Sequence, residues 1–167
     1  MSTLIIIPTL NERENLANLI PAIFEHVPHA TVLIVDDHSE DGTKEFATHN
    51  VHIVDRISDP GYGKSILDGF RWALDRGFDH VVTIDADFSH DPKEIPAMLK
   101  LLEDEDAEPR TDRSKRSGIG VAIGSRYVPG GGIQNWSLHR RLLSRFANWY
   151  VRAVLHTGIN DNTTGLW

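Results

Sequence analysis

The sequence predicts an α/β fold built on a mainly parallel sheet with helices on both faces, and three observations carry that prediction. Short runs rich in β-branched and aliphatic residues recur at Leu4–Ile7, Val32–Val35, Val51–Val54, Val81–Ile84 and Ile119–Ile123, each of strand length. Segments with apolar residues at helical spacing separate most of them. Polar residues cluster directly after the runs, at Pro8 to Glu12, Asp36-Asp37, Asp85 to Asp87 and Ser125-Arg126. Ligands of such sheets bind at the carboxyl ends of the strands, so these clusters point to one shared crevice.

In chain order, Leu4–Ile7 is a central strand ended by Pro8. Asn11 is the expected N-cap of the first helix, with Glu12 and Glu14 in its first turn and Leu16, Leu19, Ile20, Ile23 and Val27 on its apolar face. Pro28 closes that helix. The run Val32–Val35 ends in Asp36-Asp37, the Asp41-Gly42 turn follows, and a short helix runs through Phe46. After the strand Val51–Val54 comes a glycine-rich loop, Pro60 to Lys64. A helix with Ile66, Phe70, Ala73 and Leu74 on its apolar face then stops at Gly77. The strand from Val81 runs into Asp85 and Asp87. Ser89 to Pro92 opens a helix whose apolar face is Ile95, Met98, Leu99 and Leu102. Residues 103–118 lose all apolar periodicity and read as a mobile charged loop. A fifth strand, Ile119–Ile123, a flexible Gly130-Gly131-Gly132 loop and a long helix, Leu138–Leu155, complete the chain.

Length and composition narrow the function. A chain of 167 residues is one domain, 1–167, with enough residues for a hydrophobic core. A net charge of −7 argues against a general nucleic-acid binder. The absence of cysteine removes disulfides and thiolate zinc sites, and the nine histidines show no metal-ligand spacing. The apolar run at the N-terminus is too short for a signal peptide, and no run approaches the ~20 residues that span a bilayer. The expectation is a cytoplasmic protein whose membrane contact, if any, is peripheral.

Four features bear on chemistry. On a strand, residues two apart face the same way, so Asp85 and Asp87 can address one ligand, and carboxylate oxygens suit Mg²⁺ or Mn²⁺. The competing reading makes the two aspartates caps of the next helix. Asp36 and Asp37 are either turn caps or acceptors for ribose hydroxyls or a base edge. A phosphoacceptor receiver domain is disfavoured, because it needs a lysine after the fifth strand, where Arg126 stands. The loop Gly61–Ser65 fails the phosphate-loop pattern because Ser58 occupies the place of its first glycine. That loop, including Lys64, is either a plain βα turn or lies against a nucleotide. On the last helix, Arg141, Arg145 and Arg152 share one arc, and Leu142, Phe146, Trp149 and Ala153 another. This is either a core-packed helix with a solvated basic face or a phosphate-binding helix at an interface.

Several motifs occur together and in order. They are Pro8-Thr9-Leu10-Asn11-Glu12, Val35 to Thr43 with its Asp36-Asp37 pair, Asp85-Ala86-Asp87-Phe88-Ser89-His90-Asp91-Pro92, Gly124 to Gly131, then Asn135-Trp136 and Arg140-Arg141. In combination they strongly resemble the family 2 glycosyltransferases, within them the dolichol-phosphate (polyprenol-phosphate) mannosyltransferases. The resemblance implies a Rossmann-like GT-A fold, a nucleotide-sugar donor, usually GDP-mannose, a bound Mg²⁺ or Mn²⁺, and a polyprenyl phosphate acceptor. It implies that Pro8, Asn11 and Glu12 line the nucleotide pocket, with Asp36 and Asp37 near base and ribose. Asp85 and Asp87 become the D-x-D motif, with Asp87 the direct metal ligand and Ser89 in the metal shell. Arg126 meets the phosphates, and Arg140 or Arg141 holds the lipid phosphate. Transfer with inversion at the anomeric carbon is implied by the family alone. Where the family continues with Phe-Arg after the motif here read Asp161 to Gly165, this chain has Leu166-Trp167, which implies either a truncated C-terminal part or a natural short form.

Overall fold

The computed structural model describes residues 1–106, 120–127, 138–156, 159, 161, 162 and 164–167. Its centre is a four-stranded sheet in the order β3-β2-β1-β4, parallel throughout. The strands are β1 (Thr3–Thr9), β2 (Thr31–Asp36), β3 (Val51–Asp55) and β4 (His80–Thr83). The helices are α1 (Arg13–His26), α2 (Tyr62–Arg76), α3 (Ile95–Asp106) and α4 (Leu138–Leu155). Alternation along β1 divides the core. Ile5 and Ile7 face one layer with Leu16, Leu19 and Ile23 of α1 and Ile95 and Leu99 of α3. Leu4 and Ile6 face the opposite layer with Ala73 of α2. Both faces are covered, which is why β1 and β2 are apolar without interruption.

The expected strands and long helices are present, with four corrections. The segment through Phe46 makes only a 3-10 turn, Thr43–Phe46. Helix α3 extends through Glu103 to Asp106, into the stretch read as loop, and residues 107–118 lie outside the described set. Residues 120–123 form no strand, and Ile119 lies outside the described residues. Instead, Trp167 pairs with β4. Its N–H donates to the Thr83 carbonyl (3.3 Å) and its carbonyl accepts from the Thr83 N–H (2.9 Å), the reciprocal exchange of an antiparallel pair. Gly124 N–H donates to the Leu166 carbonyl (3.0 Å), one position further out. Leu166-Trp167 therefore lies along the free edge of β4.

The fourth correction concerns α2. Ser65, Gly69 and Ala73 are its buried residues, whereas Leu74 is 80% exposed and Phe70 half-exposed. The helix lies so close to β1 that a Cβ on Gly69 would sit 2.8 Å from Cγ2 and 2.9 Å from Cδ1 of Ile6. Close approach selects small residues at the contact, so Phe70 and Leu74 turn outward while Ile66 packs at the margin of the core. Gly69→Val should overpack this contact and destabilise the chain by about 1–3 kcal/mol, measured by urea unfolding. Unchanged stability would show that α2 is free to move off the sheet.

Candidate active site

Because the sheet is parallel, every strand delivers its C-terminal residue to the same edge. Register sets Thr9 beside Asp36 and Asp36 beside Asp55. Asp36 is fully buried there. Its carboxylate accepts from the Thr9 hydroxyl (3.2 Å), the Ser39 N–H (2.9 Å) and the Ser39 hydroxyl. Asn11 continues this latch, donating its N–H to Ser39 Oγ (2.7 Å) and accepting the Glu40 N–H on Oδ1 (3.2 Å). Asn11 is therefore not the N-cap of α1. Glu12 occupies that position without a side-chain cap, and Asp41 from the next loop accepts the Arg13 N–H (2.8 Å) in its place. Pro8 and Glu12 are half-buried beside this latch, and Glu12 accepts from the Asn15 side chain (2.6 Å).

A second latch joins β2, β3 and α2, and its centre is a residue sequence reasoning missed. Arg56 follows β3, and its side chain is only 6% exposed. Its guanidinium donates to Asp37, to Asp68 (2.9 Å), to Ser65 Oγ (3.1 Å) and to the Asp59 carbonyl (2.8 Å). The second oxygen of Asp37 accepts the Gly61 N–H (2.7 Å). Burial opposes the charge on Asp37, but the Gly61 N–H and the Arg56 and Ser65 side chains outweigh it and hold the carboxyl below the usual range. Lys64, expected in a loop through residues 60–64, instead lies in the first turn of α2, where it is exposed and pairs with Asp59. A cation directly after a strand was the signal available for Arg56.

β4 stops at Thr83, so the pleat does not set the directions of Asp85 and Asp87, and Asp87 lies in a turn. Side chains set them instead. Asp85 Oδ1 accepts from the Tyr62 hydroxyl (3.0 Å), and Oδ2 lies 3.8 Å from His90 Nε2. That nitrogen accepts the Gly165 N–H (3.2 Å). Burial lowers the His90 pKa despite the neighbouring Asp85, in keeping with a neutral ring that accepts at Nε2. Asp87 is exposed and accepts the Ser89 N–H (2.9 Å). Tyr62, Thr83, Asp85, Gly165 and Trp167 line part of a cleft of about 540 Å³.

Arg126 is oriented by Asp161, which is fully buried. Nε and Nη2 donate to its two oxygens, each at 2.7 Å, and this pairing raises the arginine pKa. Helix α4 is fastened through polar groups. Asn148 Oδ1 accepts the Asn162 N–H (2.6 Å), and Tyr127 donates to Ser144 Oγ (2.8 Å). The apolar face read from the sequence is exposed: Leu142, Phe146 and Trp149 are 58%, 59% and 63% exposed, and Phe146 meets Trp149 and Tyr150 of the same helix, which removes the core-packed reading of that face. Arg140 and Arg141 belong to α4, but their side chains lie outside the described residues, as do Gly130-Gly131-Gly132 and Asn135-Trp136.

Among the described residues, no group of three or more histidine, aspartate or glutamate side chains forms a metal cage, and no helix is long and apolar enough to cross a membrane. The donor set at β4 nonetheless fits a hard cation. Mg²⁺ is commonly held by one or two carboxylates together with substrate phosphates. Asp85 and Asp87 supply the carboxylates.

The family described as glycosyl transferase family 2 matches residues 4–165. The polyprenol monophosphomannose synthase of Mycolicibacterium smegmatis is 43% identical over 98% of this chain and 59% of its own. The undecaprenyl-phosphate mannosyltransferase of Micrococcus luteus is 37% identical over 99% of this chain and 65% of its own. The dolichol-phosphate mannosyltransferase of Pyrococcus furiosus is 34% identical over 93% and 42%, so the chain spans less than two thirds of each relative. Among solved structures, the mannosyltransferase PcManGT from Pyrobaculum calidifontis, in complex with GDP-Man and Mn²⁺, matches with a TM-score of 0.50 and 25% identity. That match covers 64% of this chain and 32% of the other. The fold is of the GT-A type.

The Arg56 latch has a pH signature. The folded chain holds the Asp37 and Asp68 carboxyls below their usual range. Their contribution to stability is therefore complete above about pH 4 and is lost as pH falls through the lower folded values. Arg56→Leu leaves the buried Asp37 without its cation, while Asp68 keeps Arg71 (2.9 Å), and should cost about 3–5 kcal/mol at pH 7, and much less near pH 3, read from urea unfolding at the two pH values. An equal loss at both would assign the effect to packing rather than charge.

Proposed function

Since the chain belongs to glycosyl transferase family 2, we propose that it transfers mannose from GDP-mannose to a polyprenyl monophosphate with inversion at the anomeric carbon. The observation that carries this reading is the D-x-D pair at the end of β4, on the edge shared with the Asp36 and Arg56 latches. The names of the sequence relatives and the GDP-Man complex of the structural neighbour supply the donor and acceptor classes.

In this proposal the nucleotide lies along the edge formed by Pro8, Asn11 and Glu12, with Lys64 nearby. Asp36 and Asp37 act there chiefly by shaping the wall, because protein donors already engage both oxygens of each carboxylate. Asp87, Asp85 and the Ser89 hydroxyl are the proposed metal-holding groups. A divalent cation bound there would stabilise the charge that develops on the leaving diphosphate. Arg126, aimed by Asp161, meets the phosphates. The acceptor monophosphate has a second pKa near ~6 by analogy with phosphorylated side chains, so it is an anionic nucleophile at neutral pH and no general base is required. Arg140 or Arg141 holds it.

Helix α4 makes the proposed peripheral contact with the cytoplasmic membrane surface. Its exposed Leu142, Phe146 and Trp149 lie on the same helix as Arg145 and Arg152, the combination that favours an anionic bilayer surface. Arg145, Trp149, Arg152 and His156 line part of a cleft of about 710 Å³ on this helix.

Incubation of the chain with GDP-mannose, Mn²⁺ and a polyprenyl phosphate should yield a lipid-linked mannose, and Asp87→Ala should lower the rate by roughly 100-fold or more. Metal-dependent GDP binding without product would reduce the proposal to a nucleotide-sugar-binding module. Product from a UDP-sugar instead would reassign the donor.

A further inference from the structure

We propose that Tyr62 is a positioning residue that fixes the carboxylate of Asp85, and that the buried Arg56 latch in turn fixes Tyr62. The inference rests on the D-x-D reading given above. The path is continuous. Arg56 donates to Asp37, and Asp37 accepts the Gly61 N–H. Gly61 directly precedes α2, so anchoring it sets where that helix starts and where its first residue, Tyr62, stands. The Tyr62 hydroxyl then spans the gap between α2 and the end of β4 to reach Asp85 Oδ1 at 3.0 Å. A phenol is protonated at neutral pH, so the hydroxyl is the donor of this bond and the carboxylate the acceptor.

The opposite side of Asp85 is closed as well. Gly165 lies so near that a Cβ there would overlap the carboxylate. The backbone N–H of Gly165 is held in turn by His90. Asp85 is thus confined between a phenol and a glycine, whereas its partner Asp87 is exposed and held locally by the Ser89 N–H. An acid already held in one rotamer pays less ordering entropy when it engages a ligand. Tyr62 therefore makes Asp85 the preset half of the pair and leaves Asp87 the adaptable half. The Asp37–Arg56 pair contributes through this path, from a place that does not touch the D-x-D.

Tyr62→Phe removes only the hydroxyl, from a residue that is 54% exposed. Calorimetry of GDP with the intact chain should show affinity about five- to tenfold weaker in the presence of Mn²⁺, with binding in its absence unchanged. A purely structural tyrosine would move both or neither. A cycle of Tyr62→Phe, Asp85→Ala and the double variant, read by urea unfolding, should be non-additive. Additive stabilities overturn the proposal, and so does a Tyr62→Phe chain that binds Mn²⁺ and GDP as the wild type does. Absence of GDP binding by the wild-type chain would count against the donor reading instead, and the cycle alone then decides whether Tyr62 holds Asp85.

Discussion

A parallel sheet covered on both faces leaves polar groups only one economical place to go. Its interior strands can carry no charge along their length, so β1 and β2 are apolar from Leu4 to Ile7 and from Val32 to Val35. Every strand points the same way, and the first residues able to be polar all emerge at one edge. Thr9, Asp36, Arg56 and Asp85 are neighbours for that reason, although up to 76 residues separate them in the chain. The crevice is a consequence of strand direction, and its detailed shape comes from how the emerging groups satisfy one another.

That second step concentrates opposite charges. Asp37 and Asp68 share Arg56, and Asp161 engages Arg126 bidentately. Asp85 has a phenol and a neutral imidazole as neighbours rather than a cationic partner at hydrogen-bond distance, and Asp87 has a backbone N–H. Asp36 also has no cationic partner, but Thr9 and Ser39 engage both its oxygens, whereas Asp85 and Asp87 each keep an oxygen without a hydrogen-bond donor among the described residues. This distribution separates acids that build the wall from acids available to a cation, which the residue types alone do not distinguish.

Much of the fold was legible because its signals are local. Four of five expected strands, the parallel order and the span of α4 follow from apolar runs, helical spacing and turn residues. The failures came from interactions between distant residues. Asn11 looked like a cap because Asn favours that role, but Ser39 and Glu40 engage it and Asp41 caps the helix from the next loop. Leu74 looked buried because it follows helical spacing, but the approach of Gly69 to Ile6 rotates α2 toward its small residues. Of the motif residues, Asp36 and Asp37 follow β2 and Asp85 and Asp87 follow β4, at the same edge of the sheet. Tyr62, His90 and Arg56 were missed because their meaning lies in contacts 19 to 75 residues away in sequence.

The pairing of Trp167 with Thr83 has a further consequence, for self-association. An open sheet has two edges, and each can recruit a strand from another molecule. At one edge, β4 is only four residues long, and Trp167 takes up both backbone groups of Thr83. At the other, β3 carries His52 and ends in Asp55, which pairs with His38 and Lys44. Among the described residues, one edge is met by backbone, and the other is a five-residue strand that ends on an ion pair, so each presents only a short template for strand addition.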